Sequence, residues 1–236
     1  MKPVCMNIKN IVSTLLAVCA FFFFGNRAEA QSHYSSNISV GVKGGVDLSR
    51  INFTPSVRQG FLLGGNAGVT FRYIEESHFG LIAECNFAQR GWTEDFEELP
   101  FKYSRTVNYI QVPLLAHIYF GRRGKFFFNA GPEVSFLIGE STSSNFDYNN
   151  VESIPDFPYQ SRITYQYQLE ANGKVDFGIC GGLGGEFNIN RKNSIYLEGR
   201  FYYGLGNVLK SGRTEKFRGS NSMSIMLSVG YWFRIK

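Results

Sequence analysis

The sequence predicts an all-β chain, an eight-stranded antiparallel up-and-down transmembrane β-barrel, behind an export segment. Three observations carry this reading. Apolar and polar residues alternate with a period of two over most of the chain beyond residue 37, the period of a strand. The alternating stretches number eight, an even count. Their connections are alternately short and long, the asymmetry of outer-membrane barrels, which have short turns at one end and long loops at the other.

The amino-terminal segment comes first. Lys2 and Lys9 precede the apolar run IVSTLLAVCAFFFF at 11–24, and Ala28, Glu29 and Ala30 then form a small-residue cleavage pattern before Gln31. This is the layout of a cleavable signal peptide. An uncleaved anchor fits less well, because the run is shorter than the roughly 20 residues a spanning helix needs. Lipid attachment at Cys19 fits less well still, with Val18 before it and phenylalanines after it. We therefore expect a signal peptide over 1–30, a short tail over 31–37 and one barrel domain over 38–236. Cleavage leaves 206 residues and lowers the formal charge from +5 to +3. The charges are scattered singly, with no finger spacing and no basic helix, so nucleic-acid binding is not expected.

The strand patterns follow in order. Residues 38–48 set Ile38, Val40, Val42, Val46 and Leu48 against Lys43 and Asp47; residues 60–73 set Phe61, Leu63, Val69, Phe71 and Tyr73 against Asn66, Thr70 and Arg72. Residues 78–92 oppose Phe79, Leu81, Cys85 and Phe87 to Glu84, Asn86 and Arg90. The stretch at 105–120 is the least regular, with Pro113 in its middle. Pro113 and Pro132 are candidate bulges, since proline within a sheet marks an edge or bulge. Residues 125–138 place Phe126, Phe128, Val134, Phe136 and Ile138 on one face with Glu133 on the other. In 175–204, Phe177, Ile179, Leu183, Ile195 and Leu197 oppose Asp176, Cys180, Glu186, Glu198 and Arg200. Residues 221–236 alternate Ile225, Leu227, Val229, Tyr231 and Phe233 with Ser224, Ser228 and Arg234.

Alternation alone does not say which face is wet. In a soluble sheet the apolar face meets a core, whereas in a membrane barrel it meets lipid and the charged face points into the lumen. Export, strand count and loop asymmetry select the second arrangement. The lumen should then hold Lys43, Asp47, Arg72, Glu84, Arg90, Glu133, Asp176, Glu186, Glu198, Arg200 and Arg234. An eight-stranded barrel has an interior just wide enough for side chains to fill, so these charges are expected to pair across it. Gly181, Gly182, Gly184 and Gly185 would weaken an ordinary core strand, but in a narrow barrel they would relieve crowding and allow tight curvature. Cys85 and Cys180 fall on opposite faces and should remain free thiols. Tyr73, Phe79, Tyr109, Phe120, Phe126, Tyr196, Tyr203, Tyr231 and Phe233 lie near strand ends, where aromatic girdles belong.

The connections IEESH, GRRG and NRKN are short, and the one over 139–173 is far longer than the rest. Pro155 and Pro158 interrupt it, and it carries Phe146, Tyr148, Phe157, Tyr159, Tyr165 and Tyr167. Two readings stand: an exposed partner-binding element with aromatic contacts, or a lid over the barrel mouth and extension of its hairpin. The even strand number puts both termini on the periplasmic side, with this loop outside the cell.

The opening GVKGGVDLS at 41–49, the hairpin YIQVPLLAHIYFGRRGKFFFNAGPEVSFLI at 109–138, GGLGGEF at 181–187 and the closing VGYWFRIK at 229–236 resemble the outer-membrane β-barrel domain family of Bacteroidetes, which includes the small PorT-like barrels. The resemblance covers residues 38–236. It implies a Gram-negative outer-membrane location and, for PorT-like members, an association with secretion. It brings no active-site residues.

Catalytic chemistry finds little support. His117 is the only histidine within a strand body, and no serine is required to oppose it, so a catalytic triad is not expected. Three scattered histidines do not suggest a metal site, and no cofactor is expected. The leading expectation is a non-enzymatic structural or protein-interaction barrel that acts through its extracellular loops; a narrow channel and a lipid-active barrel enzyme are the alternatives. Expected partners are outer-membrane lipid and an envelope protein, with the barrel itself a monomer.

Overall fold

The computed structural model describes residues 36–76, 78–97, 99–158, 161–171, 174–209 and 217–235. The expected signal peptide and most of the expected tail lie outside them. Eight long strands form the wall: β1 (Asn37–Thr54), β2 (Leu62–Ile74), β3 (Phe79–Glu94), β4 (Tyr103–Gly121), β5 (Gly124–Ser144), β6 (Val175–Asn188), β7 (Asn193–Gly204) and β8 (Gly219–Arg234). A two-residue piece, Gln59–Gly60, pairs with the end of β3 just before β2 begins. Each strand pairs antiparallel with its neighbour in sequence, and β1 pairs with β8 from Ser39 with Arg234 to Thr54 with Gly219. That last pairing closes the ring.

The stagger of the ring follows from its register. Stepping between paired residues from Ile38 through Tyr73, Leu81, Ala116, Ala130, Gly181, Phe201 and Ile225 returns to β1 at Leu48, ten residues from the start. For eight strands with a rise of ~3.3 Å per residue and a spacing of ~4.8 Å, a stagger of ten gives a tilt of about 40°. The 12 residues of β7 then climb roughly 30 Å, enough for an apolar band of about 25 Å. The 21 residues of β5 climb roughly 50 Å, so the β4–β5 hairpin stands well above the band.

Alternation sets the two faces as the sequence requires. Val42, Val69, Leu81, Leu114, Phe177, Leu197 and Leu227 are exposed around the outside, and the residues between them are mostly buried. Cys85 is exposed on the outer face and Cys180 is buried within; both are free. Gly184 and Gly230 make room for inward rings. A Cβ at Gly184 would come within 2.4 Å of the Phe127 ring, and one at Gly230 within 2.2 Å of the Tyr196 ring.

Three details differ from the sequence reading. Pro113 and Pro132 are not bulges. No rungs are paired between Ala83 with Leu114 and Asn86 with Gln111, or between Pro113 with Glu133 and Ala116 with Ala130, yet the register is the same on both sides of each gap. Proline removes an N–H from the ladder without adding a residue. The real shift lies between Asn108 and Tyr109, which pair with Gly139 and Leu137 and leave Ile138 as the extra residue. It reverses the phase of β5, so that Glu140 and Thr142 pair with Val107 and Arg105, two buried residues. Tyr109 and Tyr196 are buried on the inner face and belong to no girdle, because each falls in the inward phase of its strand.

Leu197 is 51% exposed on the outer wall, whereas Ser228 of β8, paired with Glu198, points inward and donates to Asn66 Oδ1 at 2.9 Å. Leu197→Arg should destabilise the barrel by about 2–4 kcal/mol near the midplane, and Ser228→Ala by about 1 kcal/mol. Urea unfolding in lipid vesicles checks both values. Equal losses would rule out the assignment of faces.

Candidate functional site

The inner face holds charges in tiers, each joining residues from different strands. Nearest the short turns, the Glu186 carboxylate of β6 receives Arg72 of β2, Lys125 of β5 at 3.4 Å and the Ser194 hydroxyl of β7 at 2.8 Å. The Arg72 guanidinium also lies 4.4 Å from the centre of a Trp232 ring. At mid-height, Glu84 of β3 takes Lys43 of β1 at 2.7 Å and Arg200 of β7 at 2.8 Å. Arg200 also bonds Glu198 at 2.8 Å, and Glu198 accepts from the Asn129 amide at 2.7 Å. The same Asn129 contacts His117 Nδ1 at 2.7 Å through its oxygen.

The next tier centres on Arg90, which bonds Glu133 at 2.9 Å, lies 3.6 Å from Asp47 and stacks 3.8 Å over the Tyr202 ring. The Tyr202 hydroxyl donates to Asp176 at 3.0 Å. Thus ten of the eleven residues expected in the lumen are buried there. Arg234 is only half-buried. It lies in the crevice at the short-turn mouth with Arg72, Lys192 and Trp232, outside the ion-pair tiers.

Above the lumen, the long connection folds inward. Phe157 and Tyr167 are buried with Phe53, Trp92, Phe96 and Tyr103, and Phe146 and Tyr148 pack against them. The Phe101 and Phe157 rings are 5.0 Å apart and the Tyr103 and Tyr167 rings 4.6 Å. Five of the six aromatics expected as loop contacts can therefore be placed: four in or against this cap, and Tyr165 exposed at its surface. Tyr159 lies outside the described residues. The strand also runs on to Ser144, so the connection proper begins at 145 rather than 139. The cause is chemical: bulky rings above a charged lumen bury more apolar surface against one another than in water.

Several residues that join the cap to the wall have no sequence signature. Glu94 accepts from Gln166 at 2.6 Å and from the Tyr167 hydroxyl at 2.7 Å, with Arg162 at 3.7 Å. Arg105 bonds Glu140 at 2.7 Å and the Leu169 carbonyl at 2.6 Å. Beyond the apolar band, burial pushes the Glu94 carboxyl above its ordinary value, against the pull of Gln166, Tyr167 and Arg162. Burial, and then the adjacent Glu94, pushes the Tyr167 phenol well above its own. Period-two counting does place Glu94 and Arg105 on the inner face. Their partners in the cap come from residues more than 60 positions away, which no local pattern reveals.

Chemically, the lumen is a network of ion pairs between strands, least complete at Asp47, whose two carboxylate oxygens lack a hydrogen bond and lie no nearer than 3.6 Å to Arg90. Removing one partner of a buried pair costs about 3–5 kcal/mol, because the other is left charged in a poorly hydrated interior. Arg200→Met should therefore destabilise the barrel by about that amount, and Arg200→Met with Glu198→Gln should recover part of the loss. Denaturant unfolding of the two variants measures it; loss of stability below about 1 kcal/mol in the single variant would mean the tier is hydrated and weakly coupled.

The sequence profile of a family described as outer membrane protein beta-barrel domain matches residues 29–210. No match was found among curated proteins. Among solved structures, OprG from Pseudomonas aeruginosa aligns at 10% identity over 84% of this chain and 95% of its own, with a TM-score of 0.46. Neisserial surface protein A aligns at 10% identity over 85% and 99%, with a TM-score of 0.43. Ail of Yersinia pestis aligns at 13% identity over 83% and 99%, with a TM-score of 0.40. With the profile matched over most of its length, the chain belongs to the outer membrane protein beta-barrel domain family and is an outer-membrane β-barrel protein.

Proposed function

We propose that this barrel is a non-enzymatic, non-conducting component of the outer membrane that acts structurally and through protein contacts at its external end. One observation carries the reading: the lumen is crossed by ion pairs at successive heights and closed above by the aromatic cap. An eight-stranded ring leaves little space once such side chains are ordered. What remains for contact with the surroundings is the outer wall, which suits lipid, and the ends.

In this reading the long connections form the external end and the short turns the periplasmic one, the asymmetry of outer-membrane barrels, with both termini in the periplasm. The Y-I-Q-V-P-L-L stretch at 109–115, followed by Gly131 and Pro132, supports a PorT-like, secretion-associated role as the specific form of this function. The partner is an envelope or surface protein, and the barrel acts as a monomer in the membrane without a cofactor.

Purified protein in planar bilayers should give no steady conductance at neutral pH, and a persistent open level would overturn the proposal in favour of a narrow channel. Orientation is tested in whole cells with a membrane-impermeant maleimide. A cysteine replacing exposed Asn149 should label from outside, and one replacing exposed Arg122 only after permeabilisation. The reverse pattern would invert the topology.

A further inference from the structure

The wall is not closed to the same height all round. β5 pairs with β6 as far as Phe136 with Val175, and Leu137 N donates once more to the Lys174 carbonyl at 2.8 Å. Above that point residues 139–144 of β5 continue to pair with 103–108 of β4. The described chain before β6 does not pair with them: Ala171 bridges instead to Leu209, just beyond the end of the neighbouring β7. Among the described residues, no backbone group of 140–144 is bonded on the side that β6 has left. Ser141, Thr142 and Ser143 are all exposed, where a strand flanked on both sides in this wall alternates.

We propose that this open edge of β5 is a docking strand for an extended segment of a partner polypeptide, which adds alongside residues 140–144 through main-chain hydrogen bonds. The proposal deepens the protein-contact reading above and rests on it for the external position of this end. An unpaired strand edge presents a row of N–H and C=O groups, and the group that complements such a row is another peptide backbone. Proteins usually guard exposed edges with lysine or proline. Residues 139–144, Gly-Glu-Ser-Thr-Ser-Ser, contain neither. Their one charge, Glu140, is engaged by Arg105 at 2.7 Å, so the edge offers an incoming strand no unpaired charge.

The edge is also held in shape before a partner arrives, which lowers the ordering cost of binding. At its tip Asn145 is clamped to the facing chain: its amide oxygen accepts from Lys102 N at 2.7 Å, and its amide nitrogen donates to the Pro100 carbonyl at 2.7 Å. On the inner side, Tyr103, opposite Ser144, packs its ring on Tyr148 and Tyr167 at 5.8 and 4.6 Å. At the foot of the gap, Ile138 and Val175 are exposed, so a partner strand entering there is favoured when its first side chain is apolar and its next ones are small or hydroxylated.

The test uses the full chain in lipid nanodiscs and a fluorescent, soluble peptide of alternating threonine and valine with lysine ends. A second peptide carries N-methyl groups on alternate residues of one edge, which removes its donors. The first should bind saturably by anisotropy and the methylated one at least tenfold more weakly. Adjacent residues of β5 direct their N–H groups to opposite edges, so one of Ser141→Pro and Thr142→Pro should weaken binding at least tenfold while the heat-modifiable gel mobility of the folded barrel is kept. Absence of binding, equal binding of both peptides, or tight binding by both proline variants would overturn the proposal. So would photo-crosslinking from position 143 that joins only copies of this chain. The same nanodisc preparation supplies the protein for the conductance measurement, so a channel and a closed barrel without a docking edge give different results.

Discussion

The closure of β1 onto β8 is the constraint from which the rest of the molecule follows. In hydrocarbon each unpaired peptide group costs several kcal/mol, and a closed ring leaves no edge in that layer. The 16 consecutive rungs from Ser39 with Arg234 to Thr54 with Gly219 supply this. A ring of eight strands staggered by ten residues fixes tilt and width together. Width then decides how the interior is used. Rings from Phe127 and Tyr196 sit over Gly184 and Gly230, where a Cβ would collide with them.

Charges inside such a ring are costly unless matched. Transfer of an ion out of water costs several kcal/mol even after relaxation, and attraction repays it only with good geometry and further hydrogen bonds. Glu84 shows the required density: two cations from two strands and an amide from Asn86 at 2.8 Å. Arg200 and Glu84 are 116 residues apart in sequence, so the pair is a chord across the lumen rather than a local contact. Its value lies in specifying one register: a slip of one residue would turn every charged side chain of a strand towards lipid.

The wall was legible in the sequence because its period is two everywhere and its two faces have opposite chemistry. Lys43, Arg90, Glu133 and Arg200 could be assigned to the lumen by counting alone. Where counting failed, a residue had been inserted or a rung lost. Ile138 is apolar and in phase with Phe136, so nothing in its side chain announces the shift that brings Glu140 opposite Val107. Pro113 and Pro132 announce a shift that does not occur, since the missing N–H is absorbed as a gap in the ladder. Arg234 falls in the inward phase of β8 but at its last rung, opposite Ser39, where inward no longer means enclosed. The partners of Glu94 and Arg105 were illegible for a different reason: contacts between a wall and a loop depend on the path of the loop, which has no period.

That path also reassigns the aromatic residues of the long connection. Phe157 and Tyr167 are too well buried to meet a partner without unmaking the seal over the lumen, and Phe146 and Tyr148 line the underside of the same cap. The hairpin of β4 and β5 divides its surfaces accordingly. Its inner side, through Tyr103 and Arg105, is taken up by the cap, and its β4 strand is paired on both sides by β3 and β5. Only the β6-facing edge above Leu137 is left without a neighbour among the described residues. On the docking proposal, recognition at this end of the barrel falls to the main chain of 140–144 rather than to the aromatic side chains, with the cap holding that main chain in place.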